Sequence, residues 1–249
     1  MIKKLSKQVI KLLTPPIIIL LYRKIFISED EVIYSDYQGI KVPFIMSRLY
    51  NSEFQKIHEK FTQLDTHINR NSNVTRLRVY TICSFAKLSI NNTNDGAFLT
   101  AGVSFGTSAL ITTEFLDFQK SGREYYLIDP LDGSNTAIFR GENSYNTDFD
   151  LVKNRWNNQI STIWIREFLS SDIILNLPAL AFVHLNTGDF ESELNCIPVL
   201  YEKLNQVGFI ILDIYGWLPI EKQKAVDSLL HKIGANSFLY ITRQLIISK

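Results

Sequence analysis

The sequence predicts an α/β domain of Rossmann-like type, with a mostly parallel seven-stranded sheet, helices on both faces and an N-terminal helical extension. Three observations predict it. From residue 97 onward, short apolar runs alternate with helical stretches, the pattern of parallel strands joined by crossover helices. A turn bounded by Gly102 and Gly106 closes the first of these runs and opens a helix. An acidic residue, Asp129, ends the second run.

The elements follow in order. Residues 1–73 are expected to form the extension and residues 74–249 the α/β body. Lys3, Lys4, Lys7 and Lys11 precede an apolar run at residues 17–22, with Pro15 and Pro16 between them. That run is far shorter than the ~20 residues a membrane span needs. Arg23 and Lys24 follow it directly, which disfavours a signal peptide. Two readings stay open for residues 1–25: two short helices packing on the body, or contact with an anionic membrane surface. A short segment with Tyr34 and Tyr37 comes next. Phe54, Ile57, Phe61, Leu64 and Ile68 stand at helical spacing, and Asn69 to Asn73 break that helix. A second helix carries Leu77, Tyr80, Thr81 and Ala86, and the polar cluster 91–96 is a loop. Strands are expected at 97–101, 125–128, 162–165, 180–185, 208–212, 238–241 and 244–247. Helices are expected at 108–119, about 195–204 and 220–233, and the last two strands as an antiparallel hairpin.

A formal net charge of +1 gives no reason to expect nucleic acid as a partner. Cys83 and Cys196 lack any metal-ligand spacing and are read as buried or neutral thiols, which suits a reducing cytoplasm. His58, His67 and His231 sit on expected helices without ligand spacing and are read as surface or satisfied core residues. Trp156, Trp164 and Trp217 could line an acceptor pocket, with core packing expected for Trp164.

Four polar clusters end expected strands, where open α/β sheets bind their ligands. In Thr100-Ala101-Gly102-Val103-Ser104-Phe105-Gly106-Thr107, glycine lets backbone approach a ligand and the following helix start offers free N–H groups. A tight turn that merely packs helix on strand is the alternative. Asp129, in Ile128-Asp129-Pro130-Leu131-Asp132-Gly133, can accept from both ribose hydroxyls of a nucleoside or else cap its own turn. No GxG stands at the first turn, which argues against a dinucleotide and its pyrophosphate, and for S-adenosylmethionine. The third cluster runs from His184 through Asn186, Gly188 and Asp189 to Ser192, and the fourth is Leu212-Asp213-Ile214-Tyr215-Gly216. A strand-end Asp213 buried without a partner would be costly, so a ligand, an N–H donor or a cation is expected beside it.

These strings together resemble the macrocin O-methyltransferase-like branch of the class I S-adenosylmethionine-dependent methyltransferases. "GAFLTAGVSFGTSA", "YYLIDPLDGSN", "LAFVHLNTGDFES", "GFIILDIYGW" and the tail "YITRQLIISK" stand in that family's order and spacing, over residues 74–249. The resemblance implies O-methylation of a sugar or polysaccharide-precursor hydroxyl. It implies that Gly102, Ser104, Gly106 and Thr107 surround the methionine end of S-adenosylmethionine and that Asp129 holds its ribose. It also implies a divalent cation held by acids of the third and fourth motifs. The sequence departs there: Asn186 and Gly188 stand at the third motif's acidic positions, Asp189 is shifted by one residue, and only Asp213 survives from the cation site. Thr100 replaces the first motif's acid. Mg²⁺ is therefore doubtful, since carboxylate charge sets the strength of such sites. Three readings stay open: a metal-independent enzyme with Asp189, His184 or Asp213 as base; a catalytically degenerate binding or partner protein; or a one-residue offset that makes Asp189 a true ligand. The oligomeric state also stays open, a homo-oligomer included.

Overall fold

A computed structural model describes residues 32–35, 41–43, 52–62, 73–131, 148–156, 161–240 and 242–249. The chain divides into two compact units, Met1–Tyr50 with Ser72–Val74, and Asn51–Asn71 with Thr75–Lys249. In the first, strands β1 (Val32–Ser35) and β2 (Lys41–Pro43) pair antiparallel with a register shift between Ile33 and Ser35. The sequence reading had no strands there. Its two short helices at residues 1–25 lie outside the described residues.

The second unit holds α1 (Ser52–Thr62), α2 (Asn73–Asn92) from Thr75 onward, β3 (Ala97–Ala101), α3 (Thr107–Phe115), β4 (Tyr125–Ile128), α4 (Phe149–Lys153) and β5 (Thr162–Ile165). It continues with α5 (Ser171–Leu175), β6 (Leu180–Leu185), α6 (Phe190–Lys203), β7 (Leu204–Leu212), α7 (Ile220–Lys232), β8 (Asn236–Leu239) and β9 (Leu245–Ser248). The seven strands β3–β9 lie in the order β5-β4-β3-β6-β7-β9-β8. The five strands from β5 to β7 pair in parallel, and β9 runs antiparallel between β7 and β8. The expected mostly parallel seven-stranded sheet is what forms.

Burial on both faces explains why the central strands are continuous apolar runs. All five residues of β3 and all six of β6 are buried. Side chains alternate between faces along a strand. Ala97, Leu99 and Ala101 join Ile174 of α5, Ile197 and Leu200 of α6 and Val226 and Leu230 of α7 in one core. On the other face the Phe98 ring lies 4.9 Å from Phe118, 6.0 Å from Tyr125 and 5.3 Å from Phe182. Helix α1 docks there through Phe54, whose ring meets Tyr80 of α2 at 4.8 Å and Phe115 of α3 at 5.9 Å.

His58 corrects the reading of that helix. It is fully buried beside Phe54, and neither ring nitrogen has a hydrogen-bond partner. It is therefore a core residue left unsatisfied. Among the described residues no helix is long and apolar enough to cross a membrane.

Candidate functional site

Parallel pairing carries one residue past the end of each central strand and builds a row of polar positions. The Asp129 N–H donates to Ile165 O at 3.2 Å, Gly102 N–H to Ile128 O at 2.9 Å, Asn186 N–H to Ala101 O at 2.9 Å and Asp213 N–H to Leu185 O at 2.9 Å. Asp129, Gly102, Asn186 and Asp213 thus stand side by side at the carboxyl edge of β4, β3, β6 and β7. All four strand-end clusters picked from the sequence meet on this edge.

At its β3 end the chain bends on Gly102, whose φ of +84° lies in the left-handed region that side chains avoid. A Cβ there would sit 2.1 Å from Asn186 O, so the glycine is needed for the loop after β6 to cross closely. The turn ends at Gly106, φ +74°, which starts α3 with no side-chain cap on its N–H groups. Arg155 braces this turn by donating to Phe105 O at 2.7 Å, to Thr107 Oγ1 at 3.4 Å and to Phe61 O of α1 at 3.4 Å. Sequence reasoning missed Arg155, which lies 50 residues from its acceptor.

Asp129 is half-buried and turned toward that turn. Its Oδ2 accepts the Ser104 N–H at 2.9 Å and its Oδ1 the Leu131 N–H at 3.2 Å. An ionised carboxylate has about four acceptor positions, so both oxygens keep capacity for a ligand hydroxyl. Asp132 and Gly133 of the same cluster lie outside the described residues. Thr100 is withdrawn from the edge, its hydroxyl 2.9 Å from the Tyr125 hydroxyl in the core.

The loop after β6 is self-contained. Asp189 caps α6: Oδ1 accepts the N–H groups of Glu191 at 3.1 Å and Ser192 at 3.3 Å, and Oδ2 accepts the Ser192 hydroxyl at 2.7 Å. Glu193, one turn on, is only 2% exposed and accepts the Thr187 N–H and hydroxyl, both at 2.7 Å. Burial raises its pKa, the Thr187 bonds oppose that rise, and the nearby Asp213 charge adds to it. The sequence signal for Glu193 was weak, since it follows the string that resembles the family motif.

Asp213 is the most tightly held group of the row. Arg78 of α2 donates through Nη2 to its Oδ2 and, at 2.9 Å, to its main-chain oxygen. Gln244 donates its amide to Oδ1 and accepts the Thr242 hydroxyl at 2.6 Å. His184 Nε2 lies 3.7 Å from Oδ1, too far for a hydrogen bond, and His184 is itself 1% exposed. Burial raises the Asp213 pKa, but the Arg78 charge, His184 and the Gln244 amide outweigh it and hold the carboxyl far below its usual range. The cation expected beside a buried Asp213 is therefore Arg78. The Trp217 ring backs that guanidinium at 4.2 Å. Trp156 and Trp164 instead pack on each other edge to face at 5.6 Å, beside Phe149 and Tyr125. Among the described residues no group of three or more His, Cys, Asp and Glu is placed to hold a metal ion.

A sheet of this order with this row of strand-end groups has the class I methyltransferase fold. The chain is similar to the solved O-methyltransferase NovP, at a TM-score of 0.55 and 17% identity, covering 69% of this chain and 78% of that one. It is also similar to a protein of Corynebacterium glutamicum, at a TM-score of 0.52 and 10% identity, covering 80% of this chain and 90% of that one. No family model matches the chain, and no curated protein matches its sequence.

Proposed function

We propose that the chain transfers a methyl group from S-adenosylmethionine to a hydroxyl of a sugar or polysaccharide precursor, as the macrocin O-methyltransferase-like resemblance implies. The carrying observation is the Ser104–Asp129 contact, which sets the glycine turn and a ligand-facing carboxylate side by side at adjacent strand ends. Gly102, Ser104, Gly106 and Thr107 would border the methionine end, and Asp129 would accept from the ribose. The similar NovP structure is that of an O-methyltransferase, which agrees with this choice. The cofactor supplies a methyl group already activated on a sulfonium. The protein's work is then orientation, and a general base adds less. Asp213, Asp189 and His184 are the acid–base groups nearest the acceptor side in this reading. Residues 1–25 would bring the enzyme to an anionic membrane surface, in the cytoplasm, and residues 74–249 would form the catalytic body.

A second reading is favoured by one observation: none of those three groups is a free base as arranged. Asp213 is ion-paired to Arg78, Asp189 caps α6 and His184 is buried. A catalytically degenerate binding or partner protein would look like this. Incubation with methyl-labelled S-adenosylmethionine and a panel of nucleotide sugars and glycan precursors separates the two. Label on an acceptor hydroxyl supports the enzyme. Cofactor binding with no labelled acceptor supports the binding protein.

A further inference from the structure

Asp213 directly follows β7 at the carboxyl edge of the sheet and is 6% exposed. A divalent cation at such a carboxylate needs further oxygen ligands around it. The groups here are of another kind. A guanidinium meets one carboxylate oxygen, an amide N–H meets the other, and an imidazole stands 3.7 Å away. Glu193, the buried acid of the neighbouring loop, is committed to the Thr187 N–H and hydroxyl. Asn186, at the other family ligand position, offers at most one neutral amide oxygen and no carboxylate charge. This donor set does not fit Mg²⁺.

Arg78, by contrast, is built in. It comes from α2, lies 135 residues before its partner, and makes two contacts to Asp213 through one nitrogen. The Trp217 ring lies 4.2 Å from the guanidinium carbon, a cation–ring contact at that distance. We infer that Arg78 is the permanent counter-cation of this strand-end carboxylate, so that the site works without a divalent metal ion. The pairing stands on the geometry alone, and its consequence for catalysis rests on the methyl-transfer reading. Neutralisation of this carboxylate is then part of the chain and independent of metal supply.

The test uses the full chain and three variants, Arg78→Gln, Asp213→Asn and the double variant, with Arg78→Lys as a charge-keeping control. Thermal unfolding is measured with Mg²⁺, with Mn²⁺ and with EDTA. The wild type should melt at one temperature in all three. Arg78→Gln should melt roughly 10 °C lower, because it strands a buried carboxylate. The double variant should recover a large part of that loss, and Arg78→Lys should lose less than Arg78→Gln. Saturable Mg²⁺ or Mn²⁺ binding by the wild type, removed by Asp213→Asn, overturns the inference. So do single-variant losses that simply add in the double variant. Calorimetry with S-adenosylmethionine on the wild type separates the two levels: failure to bind removes the methyl-transfer reading and leaves the pairing result intact.

Discussion

The backbone N–H of Ser104 donates to Asp129 Oδ2 at 2.9 Å, joining the turn after β3 to the carboxylate after β4. Ser104 has φ 53°, in the left-handed region, and the bond helps hold it there. The same carboxylate therefore braces the turn, and in the proposed function it is also the acid that accepts from the ribose. Asp129→Ala should lower stability by about 1–2 kcal/mol, by stranding the Ser104 donor, and weaken S-adenosylmethionine binding at least ~10-fold. Asp129→Asn keeps one acceptor oxygen for the two N–H donors of Ser104 and Leu131 and should lose an intermediate amount of stability. Denaturant unfolding alongside calorimetry checks both, and unchanged cofactor affinity in Asp129→Ala would show that the nucleoside lies elsewhere.

Gly102 tests the crossing of the two loops. An alanine Cβ would lie 2.1 Å from Asn186 O and would keep a positive φ. Gly102→Ala should cost upwards of ~2 kcal/mol, since both backbone strain and a backbone clash act together. A melting temperature within error of the wild type would contradict the close approach.

His58 predicts acid sensitivity. Burial, with the Arg76 charge second, lowers its pKa from 6.5 to about 4 in the folded chain. The unfolded chain then binds a proton that the folded chain refuses between those two values. Stability from this residue is full above about pH 6.5 and falls as the pH drops toward 4. Urea midpoints should decline over that window, and His58→Phe should flatten the decline. A variant with the same pH profile as the wild type would assign the sensitivity to other groups.

Asp189 separates capping from catalysis. Asp189→Ala should destabilise α6 by about 1 kcal/mol, whereas Asp189→Asn should cap nearly as well. If label transfer is found, both variants should keep it within a few-fold. A hundred-fold loss in Asp189→Asn at normal stability would make Asp189 the base.

The body of the sheet was legible because its strands are short apolar runs that end in turn residues, with β3 and β6 buried throughout. Strands β3, β4, β5 and β6 fall at the expected residues 97–101, 125–128, 162–165 and 180–185. Strand β7 begins four residues early, at Leu204, through the polar pair Asn205 and Gln206 that no apolar pattern announces. Strand β8 was misplaced by two residues because all four of its side chains are exposed. Helix α6 starts at Phe190, five residues before its expected start. Asp189 reads in sequence as a candidate base or metal ligand, which obscures its role as the cap, and Pro198 sits inside that helix. The strand-end acids were legible from position alone. Their partners were not: Arg78 lies 135 residues from Asp213 and Arg155 lies 94 residues from Phe61, and nothing local in a sequence marks such pairs.

Calorimetric titration of the wild-type chain and Asp129→Ala with S-adenosylmethionine and S-adenosylhomocysteine bears most directly on the cofactor site. The account predicts one saturable site for each ligand in the wild type and marked weakening of both in the variant. No heat of binding for either ligand at millimolar concentration would contradict it.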